Sequence, residues 1–205
     1  MSNTHTANAL PIGALRNDGR IPFPTRAQLT TEQEAVYQKI VSGPRGVIIG
    51  PLRAAIYNPE LADKWQELGA LLRYRTSLPP RLSELAILVT ARAWSSQFEW
   101  YAHAPVGLKA GLTPAAVEAI RVGEQPDLAR DDEAAVYQFS YEMQVTRDVT
   151  DTTYARALAL LGATAVVELT ALLGYYTLVA MTLIAHRIPL PEGASPELPA
   201  LGAPA

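Results

Sequence analysis

Glu84, Glu99 and His103 are charged or titratable residues set among apolar neighbours, and a buried charge without a partner costs several kcal/mol and needs a reason. On a helix, Ser96, Glu99 and His103 stand at i, i+3 and i+7, so all three project from one face, with Glu99 and His103 one turn apart. A carboxylate beside an imidazole fixes its tautomer and gives an acid/base pair able to move a proton near neutral pH. Glu84, one helix earlier, is expected to meet this pair across an antiparallel packing and to supply the second carboxylate that separates acid and base roles. We therefore take Glu84, Glu99 and His103 as candidate catalytic residues. The plainer alternative is an ordinary surface pair, since glutamate and histidine four apart on a helix often do no more than that.

Other residues complete or compete with this group. An anionic substrate needs a cation, and Arg92 is the first choice, with Arg187 second. Ser96 and Trp100 are candidate substrate contacts, although Trp94, Trp100 and Tyr101 equally suit a filled core. Tyr175 and Tyr176 read as helix packing, His186 as a helix carboxyl-terminal cap and His5 as an exposed arm residue. No third ligand clusters with Glu99 and His103, so no dedicated metal site is expected.

The elements that must position these residues are helical. Thr30-Thr31-Glu32-Gln33-Glu34 has the hydroxyls and early carboxylates of a helix start, and the helix should run to about Ser42, where Gly43-Pro44 stops it. From Leu52 the pattern is helical, with Trp65, Leu68, Leu71 and Leu72 expected on one face before Pro79-Pro80. Leu82 to Trp94 is apolar except for Ser83, Glu84, Thr90 and Arg92, which marks a core helix. Further helices are expected at about Gln97–Ala110, from Thr113-Pro114, and at Asp131–Thr146, Asp151–Leu161 and Thr164–His186. No strand alternation is present. The expected architecture is one all-α domain, a multi-helix bundle over residues 29–187, between an extended proline-containing arm (1–28) and a proline-rich arm (188–205).

Composition narrows the chemistry. The 205 residues suit one core, and 49% hydrophobic against 18% charged residues implies apolar surface closed against another subunit, so a homo-oligomer (dimer, trimer or hexamer) is expected. A net charge of -3 argues against a nucleic-acid partner. The chain has no cysteine, which excludes thiol nucleophiles, disulfides and thiolate metal sites. The polar start, Met1 to Leu10, lacks the order of a secretory signal, so a cytoplasmic location is expected. The charge-free run between Glu168 and His186 is short for a membrane span and carries Gly174, Tyr175 and Tyr176, as a buried central helix would.

The stretches Ser83-Glu84-Leu85-Ala86-Ile87-Leu88, Ser95-Ser96-Gln97-Phe98-Glu99-Trp100-Tyr101-Ala102-His103 and Gly107-Leu108-Lys109-Ala110-Gly111-Leu112-Thr113 resemble the central motif of the carboxymuconolactone decarboxylase and alkylhydroperoxidase D superfamily. The resemblance implies that superfamily's all-helical fold. In its peroxidase members a glutamate, a Cys-x-x-Cys pair and a histidine relay protons to the thiols; Glu84 and His103 match the outer members, whereas Ser96 and Glu99 stand at the two cysteine positions. The thiol chemistry is therefore gone, which leaves an alkylhydroperoxidase-type antioxidant activity as the least favoured alternative. What the resemblance implies instead is cofactor-free acid/base chemistry on a small carboxylated or lactone-like metabolite, as in decarboxylase-like members that remove carbon dioxide from a lactone acid. Isomerisation, hydration or lactone opening would use the same groups, and a non-catalytic binding or structural role stands as the rival. A catalytic trio must touch a pocket; a structural trio would be sealed.

Overall fold

The computed structural model describes residues 15–43 and 45–201, and among them every regular element is a helix. Helix α1 (Thr31–Ser42) opens on a reciprocal cap in which Thr30 Oγ1 accepts from the Gln33 amide and Gln33 Oε1 accepts from the Thr30 amide. A short α2 (Pro51–Ala55) follows Gly50, whose φ of 55° suits glycine. The continuous helix expected from Leu52 is divided: Pro59 cannot donate and disfavours helical backbone at Asn58, so Asn58 turns extended and caps α3 (Pro59–Tyr74) instead. The buried face of α3 is Ala62, Trp65, Gly69 and Leu72, while Leu68 and Leu71 are exposed. The expected grouping of Leu68 and Leu71 with Trp65 is thus corrected by helical rotation, which carries both to the flank.

Helix α4 (Pro80–Ala93) is the centre of the molecule, with every residue from Arg81 to Arg92 buried. It packs against α5 (Gln97–Lys109), α6 (Pro114–Val122), α7 (Asp131–Tyr141) and α8 (Asp151–Ala185). Gly107 permits the close approach of α5 to α4, because a Cβ there would stand 3.0 Å from Leu112 and 3.2 Å from Leu88. A π-helical turn, Glu142–Thr146, extends α7 and ends at Arg147 with φ 60°. The two expected last helices run on as α8, broken at Gly162, where φ 82° and ψ 164° leave helical space. By length and composition α8 could cross a membrane, with a mean hydropathy of 1.9 over its most apolar 18 residues; a third of those residues are buried within the fold.

Both arms lie along their own chain. Arg53 donates to the Arg16 carbonyl at 2.6 Å and to Asn17 Oδ1 at 2.8 Å, and the Arg20 amide donates to the His186 carbonyl at 2.8 Å. At the other end, Gln97 brackets the tail by donating to the Leu198 carbonyl at 2.8 Å and accepting from the Glu197 and Leu198 amides at 3.0 Å, with Leu198 buried. The first half of the amino-terminal arm, including His5, lies outside the described residues.

Candidate active site

Helices α4 and α5 bring Glu84 and His103 together: Glu84 Oε2 and His103 Nδ1 are 2.7 Å apart, and both side chains are buried. With the carboxylate ionised, Nδ1–H donates to it, which fixes the tautomer and leaves Nε2 for chemistry. Tyr176 of α8 meets the imidazole edge-on, ring centroids 5.1 Å apart and planes at 90°, and so holds the ring's orientation.

Glu99, one turn before His103, is 1% exposed, and neither carboxylate oxygen has a hydrogen-bond partner. Burial drives its pKa well above the ordinary carboxylate value, with nearby Ser96 opposing the shift. That opposition is weak, because Ser96 Oγ is itself buried and makes no hydrogen bond. Burial thus favours the protonated carboxyl of Glu99, the form that has an O–H to donate.

Glu99 and His103 line one small cavity, about 50 Å³, walled by Ile49, Gly50, Leu52, Phe98, Val179 and Leu183 among others. This is space for a few water molecules or a carboxylate-sized group. Its polar lining comes from Glu99, His103, Arg45, Arg73, Tyr175 and Tyr176. Burial raises the pKa of both tyrosines, that of Tyr176 strongly, so both stay protonated donors; Arg45 and Arg73 oppose the rise in each case. A larger groove of about 500 Å³, lined by Trp94, Gln144, Arg147 and Thr177, lies apart from these residues.

Three expectations are corrected by this geometry. Arg92 does not face the cavity: its guanidinium donates to the Arg121 carbonyl at 3.2 Å, the Pro199 carbonyl at 2.9 Å and Ser95 Oγ at 3.0 Å, so it ties down the tail. It sits two turns beyond Glu84, about 12 Å along the α4 axis, which carries it to the wrong end. Trp100 is core, 1% exposed and absent from the cavity wall. Ser96 is buried beside Glu99 and is likewise not part of that wall.

The cations the sequence reading missed are Arg45, in the loop after α1, and Arg73, in the last turn of α3. A signal existed for Arg73, which lies one turn after Gly69 on the face begun by Trp65, where a charge is out of place. Tyr175 and Tyr176, for which packing is the favoured expectation over a reach into the site, line the cavity. Among the described residues no cluster of three or more metal-ligating side chains occurs.

Comparison with known proteins bears on the family and the fold. Residues 59–139, which include Glu84, Glu99 and His103, match the carboxymuconolactone decarboxylase family. No curated protein matches the chain. Among solved structures, an uncharacterised peroxidase-related protein from Silicibacter sp. TM1040 is similar with a TM-score of 0.70 at 11% identity, over 87% of this chain and 94% of that one. A peroxidase-related protein with an alkylhydroperoxidase AhpD core from Ralstonia eutropha JMP134 gives 0.66 at 12% identity, over 85% and 93%. The debrominase Bmp8, a variant of which was solved with 2,3,4-tribromopyrrole, gives 0.66 at 13% identity, over 82% and 90%. At such identities these likenesses establish the fold alone, and it is the all-helical fold of the alkylhydroperoxidase D-like proteins.

Proposed function

We propose that this chain, whose residues 59–139 match the carboxymuconolactone decarboxylase family and which has no cysteine, is a cofactor-free acid/base enzyme, a decarboxylase-like lyase acting on a small carboxylated or lactone metabolite. The observation that carries the reading is the hydrogen-bonded Glu84–His103 pair beside a cavity into which an unpartnered, buried Glu99 also opens. A sealed structural network would satisfy its own donors and acceptors, and Glu99 is not satisfied.

The groups suit the loss of carbon dioxide from a carbon conjugated to a carbonyl. As the carbon–carboxylate bond breaks, its electron pair moves into the carbonyl, and the oxygen that gains charge takes the Glu99 proton. Protonated His103, through Nε2, then delivers a proton to carbon while the enol returns its proton to Glu99, and Glu84 holds the imidazolium in place throughout. Carbon dioxide departs, and His103 regains its proton from solvent.

The reading is tested by incubating the protein with carboxylated lactones and conjugated enol acids, following carbon dioxide release alongside the His103 ring signals by NMR. Turnover in wild type that is lost in Glu84→Gln, Glu99→Gln and His103→Gln is the expected result. Ligand-dependent shifts of His103 with no conversion of any compound would replace the lyase with a binding protein. Conversion without carbon dioxide release would make it an isomerase or hydrolase on the same groups.

A further inference from the structure

Two guanidinium groups face the cavity without an anion to match them. Arg45 makes one long hydrogen bond, 3.4 Å to the Tyr175 hydroxyl, and its Nε is buried with no partner. Arg73 makes no hydrogen bond or ion pair among the described residues and only lies over the Tyr74 ring, 5.2 Å from its centroid. The fields that reach Arg73 come from Tyr176, Tyr74, Glu84 and Tyr175; the one carboxylate among them, Glu84, is engaged by His103 at 2.7 Å. Burial disfavours the charged form of Glu99. The cavity therefore carries an excess of positive charge over a partly desolvated space, an arrangement that becomes favourable only when an anion enters.

The backbone makes room for this arrangement at a cost. Gly69 lies inside α3, where glycine is roughly 1 kcal/mol worse than alanine. A Cβ at Gly69 would stand 2.0 Å from the Tyr175 hydroxyl and 2.3 Å from Arg45 Nη2. The helix forgoes a methyl group at the one point where the arginine and the tyrosine hydroxyl come together. Trp65, one turn earlier, meets Tyr175 edge-on at 6.5 Å and fixes its ring.

We propose that Arg45, Arg73 and the Tyr175 hydroxyl are the carboxylate-recognition site of this protein, with Gly69 as the position that keeps the site open. The inference rests on the acid/base reading above for its substrate and deepens it. The ligand is a small organic acid whose carboxylate enters the space of about 50 Å³ head first, taking charge-assisted hydrogen bonds from the two arginines and one from the tyrosine. A carboxylate clamped by two cations is stabilised in the ground state and is a poor leaving group. The group held here is thus one that the product keeps, and unreactive monocarboxylates should occupy the site as product mimics.

The test is calorimetric titration of the full chain with acetate and acrylate, and with acetamide and acrylamide as neutral isosteres. Both acids are expected to bind, and both amides to bind about tenfold more weakly or worse, the loss of one charge-assisted contact. Arg45→Gln and Arg73→Gln should each weaken the acids about tenfold, Arg45→Lys and Arg73→Lys less, and the exposed Arg156→Gln not at all. Amides that bind as well as acids, or Gln variants with wild-type affinity, overturn the assignment, as does a failure of every carboxylate to bind. If a Gln variant does not fold, the acid-against-amide comparison on the unaltered protein still decides. Arginine-dependent binding without turnover of any lactone or enol acid would remove the lyase and keep the anion site; turnover insensitive to Arg45 and Arg73 would do the reverse.

Discussion

Glu99 in α5 and Glu142 in the π-helical turn are both buried, at 1% and 9% exposure, and their surroundings are opposite. Glu142 accepts from Gln138 Nε2 at 2.9 Å, Thr153 Oγ1 at 2.7 Å, the Thr150 amide at 2.9 Å and Thr150 Oγ1 at 3.2 Å. Burial alone would raise its pKa, but these donors together outweigh burial and hold the carboxyl below its ordinary value. Glu142 is a fastener, joining the end of α7 to the start of α8. Glu99 has no partner within hydrogen-bond geometry, and burial outweighs the opposing influence of nearby Ser96, so its carboxyl is pushed the other way. Burial is common to both, so burial does not single out Glu99 as the proposed acid; the absence of partners beside a cavity does.

The sharpest way to break this contrast is by turnover. If the acid/base reading holds, Glu99→Gln should lower kcat by about a hundredfold or more, whereas Glu142→Gln should leave it within about twofold, measured on whichever lactone or enol acid the protein converts. Equal losses in the two variants would mean that the contrast has no functional content.

Stability should show the reverse ranking. Glu142→Ala removes the shared acceptor of Gln138, Thr150 and Thr153 and is expected to cost about 1–3 kcal/mol by urea denaturation. Glu99→Gln removes no hydrogen bond and should cost far less.

Dependence on pH sharpens the point further. A carboxyl whose folded pKa is raised holds a proton that the unfolded chain releases above about 4.5. Glu99 therefore weakens the fold progressively as pH rises from that value toward its own folded pKa, by up to about 1.4 kcal/mol per pH unit. Wild type should lose stability relative to Glu99→Gln across that window, and parallel curves for the two proteins would refute the neutral-acid assignment. Glu142, being depressed, contributes stability above the ordinary carboxylate range and loses it as pH falls through its folded value, so Glu142→Gln should differ from wild type in the opposite sense. The smallest effect belongs to Ser96→Ala. Its hydroxyl is buried without a partner, so its loss should change stability by about 0.5 kcal/mol or less.

Much of the fold was legible in the chain because helix boundaries are written locally. Thr30, Asn58, Thr113 and Thr150 each accept a capping bond from the first turn they precede, and residues of this kind announce a helix wherever they stand. The division at Pro59 is equally local, since proline lacks an N–H and restricts Asn58 to extended backbone. Glu84 and His103 are legible as members of one motif, but their contact is not, because it depends on how α5 packs on α4. Arg45 and Arg73 are not legible either, since they come from a loop and from α3, and only the packing of those elements converges them on the Tyr175 hydroxyl of α8. Arg92 misled for the same reason: a cation near the motif in sequence was preferred to cations near it in space, and the fold uses Arg92 to hold the tail.

Gly69 touches neither the imidazole nor the acid, yet one methyl group there collides with both the arginine and the tyrosine hydroxyl. That makes it a marker that can be read without a structure. Chains of this fold that carry glycine at the corresponding helix position are free to keep the arginine–tyrosine pair, and those that carry alanine or anything larger must have abandoned it or moved it. A single column in a set of related sequences would thus sort them into two groups expected to differ in the charge of what they bind, before any of them is expressed.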